Sequence, residues 1–445
     1  MKITIENFKS IQKLENFEFK PLNIIAGINS SGKTSLTQCL LIIKQTLNRE
    51  FAGVLNYKGE YFSVMTPYDL VYGKRSTNNL HIGLSLTKDE LIAANAYSDL
   101  ESYKERVTEL CLDVTFQVND TIDVRSVQVM LRYNNEYESV KVSKVIRSKE
   151  NKGYYRITNS SSKNIEHDVV KAGTYFKVEF INFFPTYAQV IKNVNGKLGV
   201  MPLPIMKVAR EALIHFFGGF NYIGPLRIAP VPILSLTSES FDSVGIKGEY
   251  TRFILHKYSE YLVDKNETLS QVTKKWICDV FHLAQDIKVT RDSTNSYRVK
   301  VVFDNQNVDL YQVGFGLSQI LPIVVQGLMT KKGGIFFVDS PEVHLHPSVQ
   351  SSLVDFFSYL SKRGVRVLIE THSDHIITRI RRRIAERKIN IEDLKICFVT
   401  HEAQGSEYQE LSINDKGTFY QSLPKGFYDT LDEDFKEIIK AKFHE

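Results

Sequence analysis

Eight residues, Gly27-Ile28-Asn29-Ser30-Ser31-Gly32-Lys33-Thr34, carry the densest chemical signal in the chain. Their pattern, G-x-x-x-x-G-K-[ST], is a complete phosphate-binding loop. Such a loop turns successive backbone N–H groups toward one anion, and glycine is favoured where a side chain would collide with phosphate. Gly27 and Gly32 stand at those positions, with Asn29, Ser30 and Ser31 between them as members of the cradle. Lys33 is placed to bring its ammonium to the β- and γ-phosphates and Thr34 to offer a hydroxyl to Mg2+. Ser35 follows in a helix whose positive dipole end faces the anion. The expected ligand is a nucleoside triphosphate such as ATP, with magnesium.

A phosphate loop alone leaves the metal and the attacking water unassigned. Asp339 follows the apolar run Ile335-Phe336-Phe337-Val338 directly. At the C-terminal end of a buried strand, its carboxylate is placed to act as the metal-binding aspartate of a Walker B strand; the alternative is a helix cap at the strand's end. Glu342 comes three residues later, within Asp339-Ser340-Pro341-Glu342-Val343-His344-Leu345-His346-Pro347. His344 and His346, two apart beside a proline, raise the question of a metal pair.

These residues together resemble the ABC-type ATPase heads of the SMC, RecF and OLD-like group. The resemblance rests on the phosphate loop, the Asp-x-Pro-Glu-x-x-Leu-His-Pro run and Glu370-Thr371-His372-Ser373. Asn7-Phe8-Lys9-Ser10 and Gly314-Phe315-Gly316-Leu317-Ser318-Gln319 add to it. A bacterial branch of stand-alone ATPases with a small C-terminal domain is most similar, through Leu423-Pro424-Lys425-Gly426-Phe427-Tyr428-Asp429. The resemblance covers residues 1–75 and 220–445 and implies a P-loop NTPase head of ABC type. In such heads two copies close on ATP, so a homodimer or higher homo-oligomer is expected.

The resemblance makes His372 the switch histidine at the γ-phosphate and assigns Gly314, Gly316 and Ser318 to a signature segment that reaches a second subunit's nucleotide. The chain departs from the pattern twice. Glycine stands where the signature serine is expected, with Ser318 downstream. Serine, Ser340, stands where a glutamate normally orients the attacking water, and it cannot act as a base near neutral pH. Glu342 is the substitute that the resemblance offers, so hydrolysis is expected to be slow. OLD-like proteins add a nuclease domain of acidic metal ligands after the ATPase, whereas only about seventy residues follow His372 here, so any nucleic-acid cleavage is expected from a separate partner. Family associations imply a sensor or switch in anti-phage defence, with a separate effector, a nuclease or toxin, as partner. A DNA-binding repair ATPase in the manner of RecF, and a module that holds ATP without hydrolysing it, are the alternatives.

The positioning elements read as α/β. Leu22-Asn23-Ile24-Ile25-Ala26 is a short buried strand before the loop, and Ser35 to Ile43 is an apolar helix after it. Gly334 to Val338 and Val365 to Ile369 are apolar strands separated by a helix, a β-α-β unit of parallel type. Between them the chain divides into residues 1–79, the first part of the head; 80–200, a series of alternating antiparallel strands read as an insertion; 201–285, a helical subdomain; 286–400, the second part of the head; and 401–445, a small C-terminal segment. No repeat or sustained heptad is present.

Composition sets outer limits. At 445 residues, 43% hydrophobic and 24% charged, the chain is long enough for two or three domain-sized units of ordinary globular make-up. No run of eighteen apolar residues occurs and the N-terminus lacks a signal peptide's apolar core, so a cytoplasmic location is expected, without a membrane partner. Cys39, Cys111, Cys278 and Cys397 fit neither a zinc spacing nor a disulfide framework. A net charge of +5 permits nucleic-acid binding without arguing for it. The densest basic stretch, Arg379 to Lys388, reads as an amphipathic helix whose polar face is either solvated surface or a contact for DNA.

Overall fold

A computed structural model describes the chain except residues 75–78, 104–105, 146–152, 163, 169–174, 193–199, 230, 232–233, 236–240, 265, 294–295, 305, 422–436, 438–439 and 441–445. The Leu423 to Asp429 stretch therefore lies outside the described residues. From the N-terminus come β1 (Lys2–Phe8), β2 (Ile11–Glu18), β3 (Leu22–Gly27), α1 (Lys33–Thr46) and β4 (Leu80–Thr87). The short helices α2 (Lys88–Ala93) and α3 (Ser98–Tyr103) follow. Next are β5 (Val107–Val118), β6 (Ile122–Tyr133), β7 (Glu136–Lys144), β8 (Tyr154–Ser161), β9 (Asn164–Asp168), β10 (Tyr175–Ile181), β11 (Phe184–Lys192) and β12 (Val200–Met201). The middle of the chain holds α4 (Pro204–Gly218), β13 (Phe220–Ile223), β14 (Leu234–Ser235), α5 (Thr251–Lys257), β15 (Leu262–Asp264), β16 (Glu267–Thr268) and α6 (Leu269–Lys274). Then come β17 (Asp286–Ser293), β18 (Ser296–Phe303), β19 (Gln306–Asp309), α7 (Phe315–Met329), β20 (Ile335–Asp339), α8 (Pro347–Lys362), β21 (Arg366–Thr371), α9 (Asp374–Ala385), β22 (Leu394–Glu402) and β23 (Gly405–Glu410).

Two compact units share this chain. Unit 1 comprises Met1–Phe19, Thr34–Phe220 and His401–Glu407; unit 2 comprises Lys20–Lys33, Asn221–Thr400 and Tyr408–Glu445. The boundary passes between Lys33 and Thr34, through the end of the phosphate loop.

Unit 1 is built on one antiparallel sheet in the order β12-β11-β10-β8-β7-β6-β5-β4-β1-β2, with β9 beside β8. The strands from Leu80 onward thus continue the sheet that the N-terminal hairpin begins, β4 pairing along β1 from Lys2↔Ser85 to Glu6↔His81. Alternation explains why these residues form strands: β5 buries Leu110, Leu112, Val114, Phe116 and Val118 on one face and turns Glu109, Asp113 and Thr115 away from it. The turn from β10 to β11 is made by Asn182 and Phe183, at φ 51° and 57°. Asn182 is fully buried and works as a node: its side-chain amide donates to the Thr46 and Phe51 carbonyls, and its oxygen accepts from Arg210 of α4 at 2.7 Å.

Unit 2 is a parallel-type α/β layer. Its sheet runs β13-β20-β21-β3-β22-β23, with β20, β21, β3 and β22 parallel in register, for example Val338↔Ile369, Ile369↔Ile24 and Ile396↔Ile24. Every residue of β3 and of β20 is buried, the continuous apolar pattern expected of a strand covered on both faces. The expected β-α-β unit is present as β20-α8-β21. The apolar helix α7 is buried on nearly all sides, and the Trp276 ring packs against Phe356 and Tyr359 of α8 at 5.1 and 5.5 Å. A smaller antiparallel sheet, β14-β18-β17 with β19, lies on the same unit. The four cysteines are free, and burial raises the thiol pKa of each. Among the described residues no helix is long and apolar enough to cross a membrane.

Candidate functional site

Strands β3, β21 and β20 end side by side, and their C-terminal ends gather the reactive side chains of unit 2. Gly27 closes β3 at φ 153°, and a Cβ there would stand 2.4 Å from the Val399 carbonyl of β22, so the pairing that fixes the loop's root admits only glycine. Ser30 and Gly32 also have positive φ, 61° and 94°, and Ile28, Asn29 and Ser30 are exposed at the loop's crest. Lys33 is buried and folds back so that Nζ donates to the carbonyls of Gly27 and Ile28, at 3.0 and 2.6 Å. Burial lowers its pKa, while Glu370, Asp339 and Glu342 act in the opposite direction.

Asp339 ends β20 directly opposite Glu370 of β21. Its carboxyl pKa is raised, first by burial and then by Glu342, against the Ser340 hydroxyl, which donates to Oδ1 at 2.8 Å. Ser340 therefore takes a role that a glutamate in its place could not take: at φ 45° it turns the chain sharply and supports the carboxylate before it. Its own N–H donates to the Glu370 carbonyl at 2.8 Å.

Glu342 reaches the end of β21. The Thr371 hydroxyl donates to one carboxylate oxygen and the His372 backbone N–H to the other, both at 2.8 Å. The His372 imidazole bonds the Gly27 backbone, and partial burial and then Lys33 lower its pKa, which favours the neutral ring. Ser373 caps α9 by accepting from the Ile376 N–H, so the helix start holds the histidine loop in place. Lys33, Asp339, Glu342 and His372, four residues read from the sequence, thus form one electrostatic cluster.

The other residues read from the sequence lie differently. Thr34 belongs to unit 1, and the Ser35 hydroxyl bonds that of Ser10 at 2.7 Å, which in turn bonds Ser406 at 2.7 Å. Gly314 precedes α7, and Gly314 and Phe315 are exposed, the phenyl ring lying 5.8 Å from that of His344. Gly316 is half-buried. Ser318 is turned inward, 6% exposed, with its hydroxyl donating to the Phe315 carbonyl at 2.7 Å. His346 caps α8 through Nδ1.

Three residues of the site were not singled out in the sequence, and Glu370 was named only as part of the run that carries His372. Tyr408 of β23 donates its hydroxyl to the Gly32 carbonyl at 2.7 Å, a link between residues far apart in the chain. Tyr222 stacks on Phe337 of β20 at 4.8 Å, with its hydroxyl pKa raised by burial and the nearby Asp339. Arg227 donates from Nη2 to the carbonyls of both Asp339 and Ser340, at 3.0 and 2.7 Å. In the sequence these last two sit in a short break between helical segments, and no spacing marks them.

The AAA ATPase domain family matches residues 1–216 and 236–377, which include Lys33, Asp339, Glu342 and His372. Tyr222 and Arg227 fall between the two matched stretches. No curated protein matches the chain. Among solved structures it is similar to an Smc head bound to the C-winged helix domain of ScpA, with 11% identity, a TM-score of 0.47, and 93% of this chain and 97% of that one covered. An Smc head domain with an extended coiled coil, bound to the C-terminal domain of ScpA derived from Pyrococcus furiosus, has 11% identity, a TM-score of 0.42, and 99% and 98% covered. The SMC head domain from Thermotoga maritima has 9% identity, a TM-score of 0.35, and 93% and 98% covered. With its phosphate loop, parallel sheet and clustered carboxylates matched over most of its length, the chain belongs to the AAA ATPase domain family.

Proposed function

We propose that this chain binds Mg-ATP, hydrolyses it slowly and works as a nucleotide-controlled switch. The observation that carries the reading is the placement of Glu342. Its carboxylate is fixed from both sides by Thr371 and His372, next to Lys33. Serine cannot take a proton near neutral pH, so Glu342 is the group that orients the attacking water in place of Ser340. Slowness follows from the same contacts: each Glu342 oxygen already accepts a hydrogen bond, so the water competes for the lone pairs that remain.

Magnesium fits the donors present. Asp339 brings a hard carboxylate oxygen whose charged form is disfavoured by burial, a state that a divalent cation would reverse; the phosphate-loop motif adds the hydroxyl of Thr34. When bound, the ion would neutralise charge on the phosphates. Lys33 would exchange its two carbonyl partners for phosphate oxygens, and neutral His372 would turn its single N–H from the Gly27 backbone to the terminal phosphate.

The switch is assigned to ATP-dependent pairing of two copies through Gly314, Gly316 and the segment to Ser318, with a separate effector as output and anti-phage defence as setting. This part rests on the resemblance to ABC-type heads alone. The test is sedimentation of the purified protein. Mg-ATP is expected to convert monomer to dimer, ADP to reverse it, and Glu342→Gln to retain the dimer in ATP. A protein whose association state ignores the nucleotide overturns the switch. Tight ATP-dependent DNA binding by the isolated protein points instead to a repair ATPase.

A further inference from the structure

Arg227 is 7% exposed, and among the described residues only one of its three nitrogens has a partner. Nη2 spans the peptide units on either side of Ser340, whereas Nε and Nη1 meet no hydrogen-bond partner among the described residues. A guanidinium has five N–H donors, so most of its donor capacity is buried and unused. Buried unpaired donors are costly, the more so on a charged group. The surroundings do not supply the missing acceptors: the carboxylates of Asp339 and Glu342 attract Arg227 electrostatically, but Asp339 is bonded by Ser340, and Glu342 by Thr371 and His372. The same two carboxylates attract Lys33 from the phosphate loop. Two buried cations therefore share one acidic pair, with Lys33 on the loop and Arg227 beside the end of β20.

We infer that Arg227 is a further nucleotide-binding residue, whose unpartnered N–H groups take oxygens of the terminal phosphoryl group of a bound nucleoside triphosphate while Nη2 holds the Asp339-Ser340 turn. The inference rests on the ATP-site reading above. Its physical content is discrimination. A group with three phosphates satisfies Arg227 and one with two does not, and the residue that reports the difference is bonded to the backbone that carries Asp339 toward Glu342.

Calorimetry on the purified full chain tests this, with Mg-AMP-PNP and Mg-ADP as probes and Arg227→Gln and Arg227→Lys as variants. Arg227→Gln is expected to weaken AMP-PNP about tenfold or more, the worth of hydrogen bonds to a charged group, and to leave ADP within about twofold. Arg227→Lys, which keeps the charge but not the fork of donors, is expected to fall between wild type and Arg227→Gln. Equal weakening of both nucleotides in both variants marks a merely structural arginine and overturns the proposal, as does an unchanged affinity for both. Failure of wild-type protein to bind either nucleotide overturns the ATP-site reading itself.

Discussion

Ser340 occupies the position at which the sequence departs most from the ABC-type pattern, and its hydroxyl bonds the carboxylate of Asp339. The bond opposes burial and Glu342, both of which favour the protonated acid. The sign of its effect follows. A raised carboxyl pKa means that the folded site holds its proton to higher pH, and a cation that needs the carboxylate competes with that proton. Removing the Ser340 hydroxyl raises the Asp339 pKa further. In Ser340→Ala the acid limb of Mg-dependent nucleotide binding is expected to move to higher pH, read from binding titrations across the acidic range. An unmoved limb means that Asp339 does not hold the metal. At this scale the sequence was informative where residue type alone dictates chemistry, as at Gly27, Lys33 and Asp339. Arg227 was not legible, because its role comes from two backbone carbonyls more than a hundred residues away, which no spacing encodes.

The strand, loop and helix around the phosphate loop were legible because their signals are local: an unbroken apolar run, glycines at fixed offsets, then helical spacing. The strands after Leu80 were also legible as strands. Their partner was not, since alternation fixes which face is buried and leaves open which strand pairs, so a reading as an insertion missed that β4 extends the sheet of β1 and β2. The Asn182 node shows the same limit. Its φ of 51° suits asparagine or glycine, so the sequence marks a turn, but its side chain ties the β10-β11 turn to the segment after α1 and to Arg210. Asn182→Gly keeps the backbone conformation and deletes those bonds, taking their side-chain donor from the Thr46 and Phe51 carbonyls and leaving Arg210 with Glu211 as its partner. A loss of about 2–4 kcal/mol is expected from denaturant midpoints. A change within experimental error would mean that the turn conformation alone stabilises this corner.

For the molecule as a whole, the basic helix α9 bears on what the protein touches. Arg379 and Arg383 pair with Asp355 of α8, Arg382 pairs with Glu386, and Arg381 donates to the Gly417 carbonyl and lies over Phe419. Arg379, Arg381 and Arg383 thus join elements of unit 2, which weakens the case for α9 as a DNA-binding face and leaves nucleotide control as the function that the site supports best. Single-turnover hydrolysis tests that claim most directly, with excess protein over Mg-ATP and comparison of wild type with Glu342→Gln. The expected result is slow phosphate formation by wild type and a rate lower by about a hundredfold or more in the variant, which still binds ATP. Rapid turnover by wild type, or an equal rate in Glu342→Gln, would contradict the account.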